Sequence, residues 1–307
     1  MNAYLDVREE VADAIDRGAP VVALESTVIS HGLPRPQNLE IARRMEAAVR
    51  EEGAVPATIG LLNGKLVVGL AAKEIELFAS ADNIHKVSRR DLSSVLQSGK
   101  AGATTVAGSI WIAAQAGIPV FATGGIGGVH RGVEETLDIS ADLAELARTP
   151  VAVICAGAKI ILDLPRTLEL LETLGVPVVG YQTNDFPGFY ARDSGLVLDA
   201  RVNTPHEAAR LMRTQWELKL ESGVVICNPP PEPSALDRAE LEAMIRNALA
   251  AAESAGIRGK AVTPYLLAHL SKASAGATLK ANIDLLVNNA RVAARIAGAY
   301  SELRRAR

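Results

Sequence analysis

Residues 151–165 read VAVICAGAKIILDLP, and this stretch decides the fold class. The apolar residues 151–155 have the length and the β-branched content of a buried strand. The small residues 156–158 suit a tight turn, and Asp163 is of a type that often begins a helix. Lys159 stands directly after the strand, where an ammonium group must reach water, find a counter-charge or lose its proton. A strand, a turn and a helix in this order indicate one unit of an α/β protein.

The same alternation of strand and helix continues on both sides of this stretch. Apolar runs that alternate with helical patterns predict a three-layer α/β/α fold with a largely parallel sheet. The predicted strands cover residues 21–24, 58–62, 65–68, 119–122, 151–155, 176–179 and 223–227. The predicted helices cover residues 37–52, 107–116, 162–174 and 205–220.

Two segments depart from this alternation. Asn63-Gly64 lies between two β-type runs, which predicts a small hairpin with a type I′ turn at the edge of the sheet. After Cys227, residues 228–307 predict mainly helix, with breaks near residues 256–259 and near Gly276. Because this part has few strands of its own, we expect it to pack on the same sheet, so that residues 1–307 form a single α/β domain.

The composition excludes several classes of protein. The 307 residues contain 32 Lys plus Arg and 35 Asp plus Glu, a net charge of −3, which gives no basic surface for nucleic acid. No segment has the roughly 18 uninterrupted apolar residues of a membrane span, and the polar N-terminal segment lacks the core of a signal peptide. The two cysteines lie in apolar runs and predict buried thiols rather than a disulfide. We therefore expect a soluble cytoplasmic protein with a small-molecule ligand.

Four polar clusters follow predicted strands, where open α/β sheets bind their ligands. The first, ALESTVISHGLPRPQN, contains Glu25. This carboxylate could be a general acid or base if burial raises its pKa, or a hydrogen-bonded turn residue. The second, NIHKVSRRDL, groups Lys86, Arg89 and Arg90 before a helix. These cations suit a phosphate, and the alternative is a solvated surface turn.

The third cluster is FATGGIGGVHRGVEETLDISADL, residues 121–143. Its four glycines let the backbone approach an anion, although their spacing does not match the dinucleotide pattern GxGxxG. Farther on, Asp138 and Asp142 are four residues apart, as on one helical face, and with the two preceding glutamates they could hold Mg²⁺ or Mn²⁺. The alternative is a set of acids at a helix N-terminus with Ser140 as the cap.

The fourth cluster is the opening stretch with Lys159. Burial lowers the pKa of a lysine, and a neutral amine can attack a carbonyl to form a Schiff base. Alternatively, Lys159 reaches solvent or pairs with Asp163. An amine, a carboxylic acid, a cationic patch and a candidate metal site together fit a sugar-phosphate enzyme that acts on an opened sugar aldehyde.

Several long motifs occur in a fixed order, from residue 9 or so to residue 297. They read ALESTVISHGLPRPQN, GATTVAGS, FATGGIGGVHRG, LDISADL, CAGAKIILDL and GYQTNDFPGFY. In these motifs the chain resembles the pseudouridine-5'-phosphate glycosidases, also called the indigoidine synthase A-like family. The resemblance implies reversible cleavage of pseudouridine 5'-phosphate to uracil and ribose 5-phosphate, with a ring-opened ribose and a lysine imine at C1′. It also implies a homotrimer.

The resemblance assigns roles to individual residues. Lys159 matches the lysine that forms the imine, and Glu25 matches the general acid. Asp138 matches the ligand of one Mn²⁺ per subunit, which is held mostly through water and orients the substrate. The positions that match substrate contacts are Lys86, Val106, Ser140, Ala141, Asp142 and Asn282, with Thr123 and His130 in matching motifs.

Two other functions are compatible with these residues. A Schiff-base sugar-phosphate aldolase or lyase would also use Lys159 but would need no uracil pocket. A sugar-phosphate-binding protein without activity would need neither catalytic group. The products of the reaction distinguish the glycosidase from the aldolase or lyase. Turnover at enzyme concentrations far below that of the substrate excludes the protein without activity.

Overall fold

The structure is a computed structural model that describes residues 2–257 and 262–306. In these residues, one eleven-stranded sheet has helices on both sides. The strands are β1 (Leu5–Val7), β2 (Val21–Leu24), β3 (Val55–Leu62), β4 (Lys65–Val68), β5 (His85–Val87), β6 (Gly102–Thr104), β7 (Val120–Ala122), β8 (Ala152–Cys155), β9 (Val178–Tyr181), β10 (Ala200–Val202) and β11 (Val224–Cys227). The predicted three-layer fold with a largely parallel sheet is confirmed.

Helices lie between most consecutive strands until β11, the exceptions being β3 to β4 and β9 to β10. They are α1 (Glu9–Asp16), α2 (Gln37–Glu51), α3 (Ala72–Ser80), α4 (Leu92–Ser98), α5 (Val106–Gln115), α6 (Val133–Thr136), α7 (Ala141–Leu146), α8 (Leu164–Thr173), α9 (Pro205–Glu217), α10 (Arg238–Ser254), α11 (Val262–Ala273) and α12 (Ala277–Arg305). Among these described helices, none combines the length and the apolar content needed to cross a bilayer.

The order of the strands brings the four polar clusters together. It is β1-β4-β3-β2-β7-β8-β11-β9-β10, with β6 paired to β3 and β5 paired to β6. From β3 to β10 along this order, every neighbouring pair is parallel. Strands β2, β8 and β11 are buried throughout, as parallel strands covered on both faces should be. Their carboxyl ends therefore share one edge, where the loops of the polar clusters begin.

Strand β3 belongs to two parts of the sheet. Through Thr58 it pairs in parallel with β2, and beyond Thr58 it pairs antiparallel with β4 and β6. The predicted hairpin joins β3 to β4, and its turn residues Asn63 and Gly64 have φ angles of +51° and +74°, as a type I′ turn requires. The prediction that this hairpin is the edge of the sheet is wrong, because β1 pairs with the outer side of β4.

The chain after β11 is mainly helical, as predicted. Helix α12 packs on β2, β7 and β8 and also contacts α2 and α9. Gly276, with φ +87°, separates α11 from α12, and Gly256 follows α10. Residues 258 and 259 of the first predicted break lie outside the described residues. The assignment of residues 1–307 to one domain stays a prediction.

Candidate active site

A pocket of about 780 Å³ lies at the carboxyl ends of the central strands. Nine of the eleven predicted site residues are on its wall, namely Glu25, Lys86, Val106, His130, Asp138, Ser140, Ala141, Asp142 and Lys159. They come from β5 and from the loops and helices that follow β2, β6, β7 and β8, so residues far apart in sequence meet in one place. The structure therefore unites the four polar clusters.

Main-chain hydrogen bonds between two loops position Lys159. Its N–H donates to the carbonyl of Ile126 at 3.1 Å, and the N–H of Ile126 donates to the carbonyl of Gly157 at 3.0 Å. The loops after β7 and β8 consequently run side by side. Gly157 is required here, because its φ is +79° and a Cβ atom would lie 2.5 Å from the carbonyl oxygen of Pro187.

The side chain of Lys159 is partly buried on the pocket wall. Asp163, its alternative partner, instead caps α8 by accepting a hydrogen bond from the N–H of Arg166 at 3.1 Å. The Asp163 carboxylate also lies 3.6 Å from the guanidinium of Arg166. The charge of Lys159 acts instead on Glu25, where it partly offsets the rise in pKa that burial causes.

Glu25 follows β2 and lies in an environment that favours its protonated form more than water does. Burial raises the pKa of Glu25, and this effect exceeds the opposing effects of the Lys159 charge and of a hydrogen bond that Thr123 donates. A carboxyl group with a raised pKa is protonated to higher pH, so it can supply a proton during a reaction. Burial therefore does raise the pKa of Glu25, which is what a role as general acid requires.

The segment that carries Asp138 and Asp142 is not one helix. Leu137 has a left-handed backbone with φ +49°, and α7 begins only after Ser140. Ser140 is the N-cap, and its Oγ accepts a hydrogen bond from the N–H of Asp142 at 3.2 Å. The prediction that Asp138 and Asp142 share one helical face is therefore wrong, and the alternative with Ser140 as a cap is confirmed.

The carboxylate of Asp142 ties α7 to two other walls of the pocket. It is 5% exposed and accepts hydrogen bonds from the N–H groups of Ala107 at 2.9 Å and Gly127 at 2.8 Å. Because both oxygens bind main-chain donors, Asp142 fixes the shape of the pocket. Val106 lies at the first position of α5, where an N–H has no acceptor within the helix and can bind an anion.

His130 and Asp138 lie next to each other on the wall. The distance between His130 Nδ1 and Asp138 Oδ2 is 3.9 Å. Burial lowers the pKa of His130, although the Asp138 charge opposes this effect. The charges of Lys159 and Lys86 lower it further, so a neutral imidazole faces the pocket near neutral pH.

Asp138 is the candidate metal ligand. In the part of the chain that the structure describes, no group of three or more His, Cys, Asp or Glu side chains could hold an ion. Glu134, one of the two glutamates proposed to help, instead pairs with Arg166 at 2.6 Å. The side chain of Asp138 is 42% exposed, so one carboxylate at the pocket surface fits a divalent cation that keeps most of its water.

A cationic wall borders the pocket on the side of β5. Lys86 lies in this strand, and Arg89 and Arg90 lie in the turn that follows it. The Glu145 side chain, which is 0% exposed, binds Arg89 at 2.7 Å and Arg148 at 2.8 Å. This ion pair places both guanidinium groups at the wall. A surface of this charge suits a phosphate group.

We expect Glu145→Gln to lower the free energy of unfolding by about 2 kcal/mol at pH 7, measured by urea denaturation. Burial alone would raise the pKa of Glu145, but hydrogen bonds from Arg89, Thr149 and Arg148 outweigh it and hold the pKa below its usual range. Folding thus favours the ionised form. The difference between the two proteins should persist above the usual pKa of glutamate and shrink as pH falls through the lowered pKa of the folded state.

The matched control is Glu134→Gln, because Glu134 forms an exposed ion pair with Arg166. Exposed pairs contribute little, so we expect the free energy of unfolding of this variant to equal that of the wild type within measurement error. Equal stability of the Glu145→Gln variant and the wild type at pH 7 would contradict the role given to Glu145.

Two predicted site residues lie away from the wall. Thr123 is buried beneath Glu25, to which its hydroxyl donates. Asn282 lies in α12 and is 8% exposed, and the wall formed by the described residues does not include it. Its contact with a substrate stays a prediction.

Some wall residues were missed by the sequence analysis. Thr105 had a detectable pattern, since a threonine before an apolar helix is a common N-cap, and its Oγ1 accepts from the N–H of Gly108 at 3.4 Å. Arg148 had no such pattern, because its position depends on the burial of Glu145. The other missed wall residues include Ser88, Ser93, Ile139 and Leu162.

Comparison with known proteins agrees with the resemblance seen in the motifs. Residues 10–299 match the family described as indigoidine synthase A like protein. The chain belongs to this family. The pseudouridine-5'-phosphate glycosidase of Caldanaerobacter subterraneus subsp. tengcongensis is 56% identical over 303 residues, which cover 99% of each chain. That of Staphylococcus aureus is 50% identical over 303 residues, again 99% of each chain.

Solved structures share the whole fold with this member of the family. The prealnumycin C-glycosynthase AlnA, in complex with ribulose 5-phosphate, is 46% identical with a TM-score of 0.93, and the match covers 100% of both chains. An indigoidine synthase A-like protein from Thermotoga maritima is 36% identical with a TM-score of 0.89, over 98% of both chains.

Proposed function

We propose that this chain is a pseudouridine-5'-phosphate glycosidase, an enzyme that reversibly cleaves the C–C glycosidic bond of its substrate to give uracil and ribose 5-phosphate. The observation that carries this proposal is the presence of Lys159 and Glu25 on one pocket with a cationic wall. The names of relatives at 50% and 56% identity support it. So does the ribulose 5-phosphate bound to the related C-glycosynthase.

The proposed chemistry proceeds through a covalent bond between enzyme and sugar. The unprotonated amine of Lys159 attacks C1′, and the bond from C1′ to the ring oxygen breaks as Glu25 protonates that oxygen. The nitrogen, now positively charged, returns a proton to the Glu25 carboxylate and so regains a lone pair. The C1′–C5 bond then breaks, its electron pair goes to uracil, and Glu25 gives that proton to C5. In the same step the nitrogen lone pair forms the C1′ imine, which carries one proton on nitrogen. Water hydrolyses the imine, which releases ribose 5-phosphate and the free lysine, and the remaining proton returns to Glu25.

The pocket has the size and charge for this substrate. About 780 Å³ lies in the range of small-molecule sites and exceeds the needs of one nucleoside monophosphate. The phosphate would bind near Lys86 and the N–H of Val106, the first of α5, where a cation and a helix N-terminus both favour an anion. The sugar would then reach Lys159.

Asp138 would hold one hydrated Mn²⁺, or another divalent cation, which would supply positive charge that orients the substrate. We expect Asp138→Asn to raise the Mn²⁺ concentration for half-maximal activity at least tenfold, because the variant loses the anionic ligand. Titration of chelator-treated enzyme with MnCl₂ measures this. The control is Glu135→Gln, an exposed acid of the same segment that is absent from the wall. An unchanged Mn²⁺ requirement in Asp138→Asn would argue against this ligand.

Uracil release tests the proposal as a whole. Pseudouridine 5'-phosphate is incubated with catalytic amounts of enzyme, with and without Mn²⁺, and the products are separated and identified. Release of uracil and ribose 5-phosphate in equal amounts over many turnovers is expected. Ring cleavage to a shorter aldehyde would instead indicate an aldolase or lyase, and binding without turnover would indicate a non-catalytic protein. The homotrimer and the cytoplasmic location stay predictions.

A further inference from the structure

A buried asparagine of α12 is hydrogen-bonded to the loop that follows β7. Asn289 is 0% exposed, and its Nδ2 donates to the carbonyl of Thr123 at 2.8 Å and to that of Gly124 at 3.4 Å. Its Oδ1 accepts a hydrogen bond from Nδ2 of Asn228, which follows β11, at 2.9 Å. The side-chain amide of Asn289 thus acts as both donor and acceptor. It links α12 to the loop after β7 and to the residue that follows β11.

This asparagine acts at the point where the chain leaves the sheet. The N–H of Thr123 still donates to Ile154 at 3.1 Å, and the carbonyl of Gly124 accepts from Ala156 at 2.8 Å. The loop then turns toward the pocket. A Cβ atom at Gly124 would lie 3.2 Å from the side chain of Leu286, so α12 packs directly on this backbone. The position of Thr123 therefore depends on α12.

Thr123 connects this contact to the proposed chemistry. Its hydroxyl donates to Glu25, and its carbonyl is the main acceptor for Asn289. A residue that fixes the carbonyl and the Cα atom also fixes the direction of the side chain. Leucine at position 289 would leave the buried carbonyl of Thr123 without the Asn289 donor, whereas the carbonyl of Gly124 keeps the N–H of Ala156. The loop would shift to satisfy the Thr123 carbonyl.

We propose that Asn289, oriented by Asn228, is a positioning residue. It holds the hydroxyl of Thr123 against the carboxyl group of Glu25 and thereby fixes the position of the general acid. This inference rests on the proposed function. The charged groups that act on Glu25 are Lys159, Asp142 and Lys86, and they belong to the loop after β8, to α7 and to β5. The hydrogen bonds of Asn289 described above go to Thr123, Gly124 and Asn228, so its replacement tests the contact through Thr123.

The test is a double-mutant cycle of Asn289→Leu and Thr123→Val, with uracil release measured from pH 5 to pH 10. Each single variant should lower kcat about tenfold and leave KM within about twofold, because the acid and not the binding is affected. The double variant should also lose about tenfold in kcat, since both changes break the same chain of contacts from Asn289 through Thr123 to Glu25. In all three variants, the alkaline limb of the pH–rate profile should move to higher pH. The reason is that the hydrogen bond from Thr123, once lost, no longer favours the ionised carboxylate of Glu25.

Asn288→Leu is the matched control, since Asn288 is the neighbouring, partly buried asparagine of the same helix. Its kcat and pH profile should equal those of the wild type. If Asn289→Leu does not fold, Asn228→Ala replaces it in the cycle, with the same expected coupling to Thr123→Val.

Three results would overturn the inference. They are a loss of about a hundredfold in the double variant, a rise in KM alone, and an alkaline limb that does not move. Trapping with borohydride and ribose 5-phosphate should label Lys159 in every variant, which shows that the nucleophile is intact. Absence of uracil release from the wild type would instead refute the proposed function.

Discussion

Replacement of Lys159 by alanine is expected to abolish uracil release, with a loss on the order of 10⁴-fold or more. The reason is that no other group supplies the covalent bond to C1′ in the proposed chemistry. The fold should be retained, because the hydrogen bond that positions this residue runs from its main-chain N–H to Ile126. The measurements are the initial rate of uracil release and the mass of the protein after borohydride treatment with ribose 5-phosphate.

Two control variants make this result specific. Lys159→Arg keeps the positive charge but cannot form the imine, so it should be as inactive as the alanine variant. Lys100→Ala removes an exposed lysine that is absent from the pocket wall, and it should retain full activity and full labelling. A labelled adduct on another lysine, or labelling of the Lys159→Ala protein, would refute the assignment.

Replacement of Glu25 by glutamine is expected to lower kcat by about 10²- to 10³-fold, because the amide cannot give a proton to the ring oxygen. Burial raises the pKa of Glu25, so the acid form persists to higher pH than in an ordinary glutamate. The wild-type rate should fall as the pH rises through that raised pKa. The residual rate of the variant should lack this decline.

Glu46→Gln is the matched control for this change. Glu46 is also partly buried, burial also raises its pKa, and it also accepts a threonine hydroxyl, from Thr58 at 2.6 Å. It is absent from the pocket wall, so its amide variant should keep kcat within about twofold. A Glu25→Gln enzyme with nearly wild-type kcat would show that another group is the acid.

Local patterns in the sequence predicted the parts of the fold that depend on neighbouring residues. The Asn63-Gly64 turn is an example, because positive φ angles at both positions favour these two residues. The central strands were found because apolar runs at 21–24, 151–155 and 223–227 are buried on both faces. Strands β1, β5, β6 and β10 were missed, since three residues are too few to show a period. The equally short β7 was found because all three of its residues are apolar and buried.

In the candidate site, too, local features could be predicted from the sequence and long-range contacts could not. Each polar cluster follows a strand, which located Glu25 and Lys159 near the carboxyl ends of the sheet. The spacing of Asp138 and Asp142 was misleading, because the left-handed backbone of Leu137 delays the start of the helix. The contact between Asn289 and Thr123 could not be predicted, because it joins residues 166 positions apart.

That separation has a consequence for how the enzyme is made. A ribosome synthesises the chain from its N-terminus, so Glu25, Thr123 and Lys159 all emerge well before Asn289 does. The nascent protein can assemble its central strands early, yet the loop after β7 receives its hydrogen bonds from α12 only when that helix has been translated. Lys159 is therefore synthesised before the helix that completes the hydrogen bonds of the loop carrying Thr123, and this loop can take its final form only late in translation.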